Sequence, residues 1–192
     1  MPRIISGKAG GVRLASPAGT LTRPTSDRVK EALFSILALR MPDSRVLDLY
    51  AGSGQIGIEA VSRGAASADL VDNDRPSLDC IRSNIARSGL EGIHVQAGDV
   101  FRILKLLNRE GRSFDLVFLD PPYRMASQVL ERAAGQLTQG LLAPDALVIL
   151  EHAAQDKVPP FVTNLQLVRN CKYGSSMLSF YKESRQDRGF SI

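Results

Sequence analysis

The sequence predicts an α/β fold with a doubly wound, mostly parallel β-sheet covered by helices on both faces. From residue 45 onward, short apolar runs alternate with helical stretches, as in parallel sheets. The 192 residues suffice for one sizeable core. The last two strand-like runs are joined by only Tyr173 and Gly174, which forces an antiparallel pair because a parallel crossover needs about a dozen residues.

The N-terminal segment is predicted to form a β-hairpin and then a capped helix. Residues 3–6 and 12–16 are strand-like runs on either side of several glycines. Thr25 or Ser26 can cap a helix that has Asp27 in its first turn. Apolar residues then recur at helical spacing, at Val29, Ala32, Leu33, Ile36 and Leu37. We expect one domain over residues 1–192, with 1–22 as a basic hairpin extension and 23–192 as the catalytic α/β core.

Strands and helices alternate along that core. The candidate strands are Val46–Tyr50, Ala68–Asp72, Ile93–Ala97, Phe114–Leu119 and Ala146–Glu151. The helical stretches lie near residues 56–63, 77–88, 101–109 and 127–137. The closing antiparallel pair is predicted at Leu165–Lys172 and Ser175–Lys182.

Charge and composition narrow the functional classes. The net charge is +4, and residues 1–45 carry eight basic side chains against three acidic ones, which suits phosphate contacts or simply a solvated surface. Cys80 and Cys171 are far apart and have no Cys or His neighbours at ligand spacing, so we expect neither a disulfide framework nor a metal site. No apolar run is long enough to enter a membrane and no secretory leader is present, so a cytoplasmic enzyme is expected.

A glycine-rich loop follows the first core strand. Gly52-x-Gly54-x-x-Gly57 leads into a helix, and ligands of doubly wound sheets bind beyond the carboxyl ends of the strands. Asp72 ends the next strand at the spacing of a ribose-binding carboxylate. The spacing alone fits both a nicotinamide cofactor and S-adenosylmethionine, since both contain adenosine.

Asp48 favours S-adenosylmethionine, because a carboxylate beside the loop would repel a pyrophosphate and attract the ammonium of a methionine. Asp72 would then accept from the ribose hydroxyls, with Asp74 as the alternative. Asp99, after the third strand, would accept from the adenine amino group. Local capping is the competing interpretation of Asp48 and Asp99. The predicted loop contacts to the cofactor are Ala51, Gly52, Ser53 and Gly54.

The tetrapeptide Asp120-Pro121-Pro122-Tyr123 ends the fourth strand and is the most specific signal in the chain. Two prolines hold the backbone extended and remove two N–H donors. The Asp120 carboxylate and the Pro121 carbonyl can therefore accept both hydrogens of an exocyclic amino group, most strongly as its nitrogen becomes positive in the transition state. Tyr123 offers an aromatic face on which a flipped base can stack. The competing interpretation is a simple turn with a packing tyrosine.

With these motifs, the chain resembles the bacterial 16S ribosomal RNA guanine-N2 methyltransferase D family over nearly its full length. The resemblance implies a Rossmann-like class I methyltransferase fold with seven strands, the last antiparallel. It also implies transfer of one methyl group to the N2 of a guanine within an assembled small subunit. We expect the enzyme to be a monomer. The motifs that carry it are Arg3-Ile4-Ile5-Ser6-Gly7, Arg23-Pro24-Thr25, Asp27-Arg28-Val29-Lys30-Glu31-Ala32-Leu33-Phe34, Leu47-Asp48-Leu49-Tyr50-Ala51-Gly52-Ser53-Gly54, Ser62-Arg63-Gly64-Ala65, Asp120-Pro121-Pro122-Tyr123 and Tyr173-Gly174.

The sequence departs from the family at three other positions. Asp72 stands where the family often has Glu, and Gln55 and Ile56 replace smaller or different apolar residues in the loop. Arg23 and Arg28 are predicted to contact either RNA or the methionine carboxylate. The predicted RNA-binding set is Arg3, Lys8, Arg13, Arg23 and Arg28.

Three other functions compete with this interpretation. Asp120-Pro121-Pro122-Tyr123 would serve an adenine-N6 methyltransferase of nucleic acid equally well, although 192 residues leave little room for a target-recognition region. The glycine spacing would serve a nicotinamide-dependent reductase, against which Asp48 and the proline pair speak. A non-catalytic RNA-binding module would use the basic N-terminal segment but leave Asp120 without a purpose.

Overall fold

An eight-stranded β-sheet with helices on both faces forms the centre of the structure, a computed structural model that describes residues 2–17, 26–122 and 125–184. The strands are β1 Arg45–Leu49, β2 Ser67–Asp72, β3 Ile93–Ala97, β4 Phe114–Leu119, β5 Leu142–Ala153, β6 Phe161–Val162, β7 Leu165–Tyr173 and β8 Ser176–Glu183. The helices are α1 Asp27–Ile36, α2 Gln55–Ser62, α3 Arg75–Ser88, α4 Val100–Arg109 and α5 Ala126–Gln136, with a 3-10 turn at Ala38–Arg40 and a π turn at Leu137–Leu141.

The strand order β3-β2-β1-β4-β5-β8-β7-β6 confirms the doubly wound α/β prediction. Strands β1 to β5 are mutually parallel, and β8 lies antiparallel between β5 and β7. Two details differ from the sequence prediction. Strand β5 begins at Leu142, earlier than predicted, because Leu142 pairs with Phe114 across a register shift. The two-residue β6, too short to show a periodicity, pairs with β7 and raises the strand number from seven to eight.

The sheet separates two apolar cores, and alternate residues of β1 face one or the other. Val46 packs in the core on the α1–α3 side, whereas Leu47 and Leu49 pack in the core beneath α4 and α5. Asp48 therefore shares the face of Val46 and points toward α2. Among the described residues, no helix has both the length and the apolar character to cross a lipid bilayer.

The N-terminal extension packs onto the α/β core. Its predicted hairpin consists of one antiparallel bridge, Arg3 to Arg13. Ile4 and Leu14 are completely buried. The Lys8 amide donates to the carbonyl of Ser62, at the end of α2, over 2.7 Å. Since its apolar side chains belong to the main core, the extension cannot be removed without opening that core.

Helix α1 begins as predicted, with the Val29 amide donating to the Ser26 hydroxyl over 3.3 Å; the alternative cap, Thr25, lies outside the described residues. Its Lys30 is completely buried, and so is Glu59 of α2. The Lys30 ammonium donates to the Arg3 carbonyl at 2.5 Å and lies 3.4 Å from the Glu59 carboxylate. One lysine thus joins the extension, α1 and α2.

Replacing Lys30 with methionine should lower the free energy of unfolding by about 3 kcal/mol, because it leaves a buried carboxylate without one of its partners. Urea unfolding measures this change. Lys8→Met is the matched control, since Lys8 is an exposed lysine of the N-terminal extension, and it should stay within about 0.5 kcal/mol of the wild type. Equal effects of the two substitutions would contradict a structural role for the buried pair.

Candidate active site

A cavity of about 890 Å³ lies at the carboxyl ends of the parallel strands. Its wall includes Tyr50 after β1, Asp72 at the end of β2, Asp120 after β4 and Glu151 in β5. The chain order reverses between β1 and β4, which is where doubly wound sheets bind ligands. The volume is that of a small-molecule cofactor site.

The glycine loop supplies one wall of this cavity through Ala51, Gly52 and Ser53. Gly52 has a φ of +57°, and no atom lies within 4 Å of where a Cβ would stand, so its backbone is open to a ligand. Gly54 has a packing role instead: a Cβ there would lie 2.8 Å from the Leu70 side chain. Three of the four predicted loop residues thus face the cavity, whereas Gly54 allows α2 to pack closely against β2.

Asp72 lies where a ribose-binding carboxylate is expected. One of its oxygens accepts from the Gly52 amide at 2.8 Å and the other from the Asp74 amide at 2.9 Å. Each oxygen keeps a second lone pair for a hydroxyl group. Asp74 also lines the cavity, but it caps α3 by accepting from the Ser77 amide at 3.0 Å. The geometry favours Asp72 over Asp74.

Asp48 differs from its predicted placement. It is only 3% exposed, lies beneath the loop rather than on the cavity wall, and accepts a hydrogen bond from the Gly57 amide at 3.0 Å. Burial raises the pKa of its carboxyl group to about 7, with a smaller contribution from the charge of Asp72. Asp48 thus holds the glycine loop to the start of α2, and its contact with a cofactor ammonium stays a prediction.

Asp99 is the N-cap of α4, where it accepts from the Arg102 amide at 3.1 Å. It is exposed and is not among the described residues that line the cavity, so its contact with adenine stays a prediction. Its neighbour Tyr50 does line the cavity, with a positive φ of 64°. Burial, and after it the charge of Asp99, raises the pKa of Tyr50. Sequence reasoning missed Tyr50 because nothing in its pattern reveals a positive φ.

The residues after β4 face the same cavity, as their motif predicts. Asp120 is exposed, Pro121 is buried and Pro122 is exposed, and all three form part of the wall. The Asp120 amide donates to the Leu49 carbonyl at 3.4 Å, which ties this segment to the end of β1. Tyr123 lies outside the described residues.

The predicted RNA-binding residues are exposed where the structure describes them, namely at Arg3, Lys8, Arg13 and Arg28. Arg28 also lines the cavity, whereas the Arg3 guanidinium pairs with Asp27 at 3.0 Å. Arg23 lies outside the described residues. Arg28 is thus the described member of the set that could reach either a cofactor or RNA.

The C-terminal strands add a wall that the sequence did not reveal. Glu151, His152 and the turn from Tyr173 to Ser176 line the cavity. The two ring nitrogens of His152 contact the Ser179 hydroxyl at 2.7 Å and the Ala153 carbonyl at 2.9 Å, and burial lowers the pKa of the ring. The two contacts fix the orientation of the His152 ring. Nowhere in the described parts of the chain do three or more His, Cys, Asp or Glu side chains cluster as a metal site.

Comparison with known proteins identifies relatives over nearly the whole chain. Residues 2–182 match the family described as conserved hypothetical protein 95. The chain is 34% identical to ribosomal RNA small subunit methyltransferase D of Escherichia coli K12, covering 96% of this chain and 91% of that protein. It resembles the structure of the hypothetical protein TTHA0928 of Thermus thermophilus (TM-score 0.81, 36% identity, 94% and 98% of the two chains). It also resembles Escherichia coli yhhF (TM-score 0.82, 34% identity, 96% and 99%).

The raised pKa of Asp48 predicts a pH-dependent difference between the wild type and Asp48→Asn. Between the unfolded value of 3.8 and the folded value of about 7, the unfolded wild type loses a proton that the folded form keeps, so wild-type stability falls as pH rises. The stability advantage of Asp48→Asn should therefore grow from about pH 4 to 7 and then level off, by about 1.4 kcal/mol per unit of pKa shift. Urea unfolding across this range measures it, and a pH-independent difference would contradict the buried placement.

Proposed function

Since this chain belongs to the conserved hypothetical protein 95 family, we propose that it is an S-adenosylmethionine-dependent methyltransferase of small-subunit ribosomal RNA. One observation carries the proposal: the glycine loop, Asp72 and the Asp120–Pro121 segment line a single cavity at the switch point of the sheet. A cofactor site would thus lie directly beside the groups that accept hydrogen bonds from a target amino group. The name of the Escherichia coli relative supports the RNA substrate.

The cavity fits S-adenosylmethionine by its donor set. Asp72 would hold the two ribose hydroxyls, and the open backbone at Gly52 would let the ligand approach the main chain. When bound, the cofactor supplies a methyl group on a positively charged sulfur. The chain's own contribution is to orient an incoming nitrogen, because the described cavity wall provides hydrogen-bond acceptors for its N–H groups. Both ring nitrogens of His152 already have hydrogen-bond partners within the protein.

The finer assignment within this proposal is the exocyclic N2 of a guanine in 16S rRNA, in an assembled small subunit. The Asp120 carboxylate and the Pro121 carbonyl accept the two N–H hydrogens, so the nitrogen lone pair can point at the methyl carbon. A bound cofactor would supply the methyl group to this nitrogen, which would then give up one proton to Asp120 or to water. Tyr123 would stack on the flipped base.

Asp120→Ala should lower the rate of methyl transfer by about a hundredfold or more while changing cofactor affinity little, since Asp120 is assigned to the amino group. The assay is transfer of labelled methyl groups to free 16S rRNA and to small subunits, followed by nucleoside identification. Asp120→Asn keeps the shape but loses the charge, so a rate as low as that of alanine would assign the effect to charge.

The control is Asp79→Ala, an exposed carboxylate of α3 whose partner is Arg82. It should methylate at the wild-type rate. The expected product is N2-methylguanosine. N6-methyladenosine would instead identify an adenine methyltransferase with the same amino-group chemistry, and full activity in Asp120→Ala would overturn the proposed role of this residue.

The exposed basic residues are proposed to bind RNA phosphates. Lys8→Gln and Arg13→Gln should weaken RNA binding and reduce the slope of log affinity against log salt by about 0.7–0.9 for each phosphate that is no longer neutralised. Arg28→Gln should do the same if Arg28 contacts RNA, but should instead weaken cofactor binding if it contacts the methionine carboxylate. The control is Lys105→Gln, because Lys105 is an exposed residue of α4, on the opposite face of the sheet from α1. An unchanged salt slope in Lys8→Gln and Arg13→Gln would exclude them from the RNA interface.

A further inference from the structure

The C-terminal strands carry a basic surface to which the proposed function has so far given no role. The chain has 20 acidic residues in 192, yet the stretch from Lys157 to Lys182 contains four basic residues and no acidic one. Two of these cations, Arg169 and Lys172, are exposed on β7. Within the described parts of the chain neither forms an ion pair with a carboxylate, and the Arg169 guanidinium instead contacts the Cys171 sulfur at 3.1 Å. Both positive charges thus face solvent.

Strand β7 leaves most of its outer edge open. The two-residue β6 pairs only with Leu165 and Gln166, and β8 occupies the other edge of β7. From Val168 to Tyr173, no strand in the described parts of the chain therefore lies along the outer side of β7. Basic side chains and backbone amides are the groups with which proteins hold nucleic-acid phosphates. The open edge of β7 presents both.

This edge leads into the wall of the cavity. Strands β5 and β7 are both antiparallel to β8, so β7 ends at the same end of the sheet as β5, where the cavity lies. The turn that follows it, Tyr173–Ser176, lines the cavity. Lys172 directly precedes this turn, and Arg169 lies about 13 Å before Tyr173 at about 3.3 Å per residue. An RNA strand held on β7 would therefore be guided to the cavity mouth.

An exposed aromatic side chain lies on the same face of the sheet as Arg169. Arg169 pairs with Phe180 of β8, which packs in the core on the α1–α3 side. Phe161 of β6 points to that side as well, because its neighbour Val162 packs in the opposite core. Phe161 is 61% exposed. A cation for the backbone and an aromatic ring for a base are the two contacts that hold single-stranded nucleic acid.

The N-terminal extension also belongs to this face, on the other side of the cavity. It bonds to Ser62 of α2 and Asn84 of α3, which pack on the region of β1 to β3. Strand β7 is four strands away from β1, about 19 Å at the usual strand spacing. The cavity between them is lined by carboxylates that repel phosphates. RNA that places one base in the cavity therefore needs cations for its backbone outside it, and the two surfaces provide them on opposite sides.

We propose that Phe161, Arg169 and Lys172, the outer surface of β6 and β7, bind the RNA substrate on the side of the cavity opposite to the N-terminal extension. This inference rests on the proposed function and adds a second RNA-binding surface to it. The two cations contact phosphates, and one base stacks on Phe161. Exposed charges on a strand edge also discourage pairing between the edges of two molecules, so self-association is measured beside RNA binding.

The double variant Arg169→Gln/Lys172→Gln should bind a 16S rRNA transcript about tenfold more weakly at about 0.1 M salt, and the slope of log affinity against log salt should fall by about 1.4–1.8, for two lost phosphate contacts. The matched control is Lys105→Gln/Arg109→Gln, which removes one lysine and one arginine from an exposed face of α4. It should keep the wild-type affinity and slope. Both variants should bind S-adenosylhomocysteine as the wild type does, since none of the four residues lines the cavity.

Phe161→Ala should weaken binding of the same transcript by about tenfold and leave the salt slope unchanged, because stacking releases no counterions. Leu39→Ala is its control, since Leu39 is a fully exposed apolar residue of the 3-10 turn before β1, away from β7. It should bind RNA with the wild-type affinity.

Wild-type affinity and salt slope in the double variant would overturn the proposal, and so would an equal loss in the α4 control. Self-association of the double variant in light scattering, together with wild-type RNA affinity, would assign the charges to protection of the strand edge and would also overturn it. If the wild type neither binds the transcript nor methylates it or small subunits, the proposed function itself is overturned.

Discussion

The geometry of the cavity depends on the buried pair of Lys30 and Glu59. Glu59 accepts hydrogen bonds from the Ile5 amide and the Arg63 guanidinium as well as from Lys30. Removing these charges from water is costly, and such a pair persists only when its remaining polar groups are satisfied. The bonds join the N-terminal extension, α1 and α2 at one point. Because α1 carries Arg28 and α2 follows the glycine loop, two walls of the cavity are positioned by this pair.

This arrangement makes the basic extension part of the methyltransferase core rather than a separate RNA-binding module. Ile4 and Leu14 are buried in the same core as α1 and α2, while Lys8 and Arg13 face solvent. A phosphate contact on this surface would therefore be held at a fixed distance from the cavity. RNA binding and base placement are then set by one rigid body, which a non-catalytic module would not require.

The sequence predicts the core strands well because short continuous apolar runs are typical of parallel strands buried on both faces. It also predicts the ends of strands, where Asp72 and Asp120 meet the cavity. It does not predict to which face of the sheet a polar side chain near the end of a strand points. Asp48 lies one residue before the end of β1, so the pleat turns it toward α2 and Gly57. The sequence also does not predict that Tyr173–Ser176 forms a wall of the cavity. This wall depends on the insertion of β8 between β5 and β7, a long-range pairing that no local sequence pattern indicates.

Electrostatics now favours S-adenosylmethionine on a different basis from the one that Asp48 first offered. The described residues on the cavity wall include one arginine, Arg28, and five carboxylates: Asp72, Asp74, Asp120, Glu151 and Asp156. A pyrophosphate would be repelled by this wall, whereas a sulfonium and an ammonium would be attracted. The same wall repels RNA phosphates, which the basic surface outside can attract. After transfer the sulfur is neutral, so one attraction is lost and release of the product is favoured over release of the substrate.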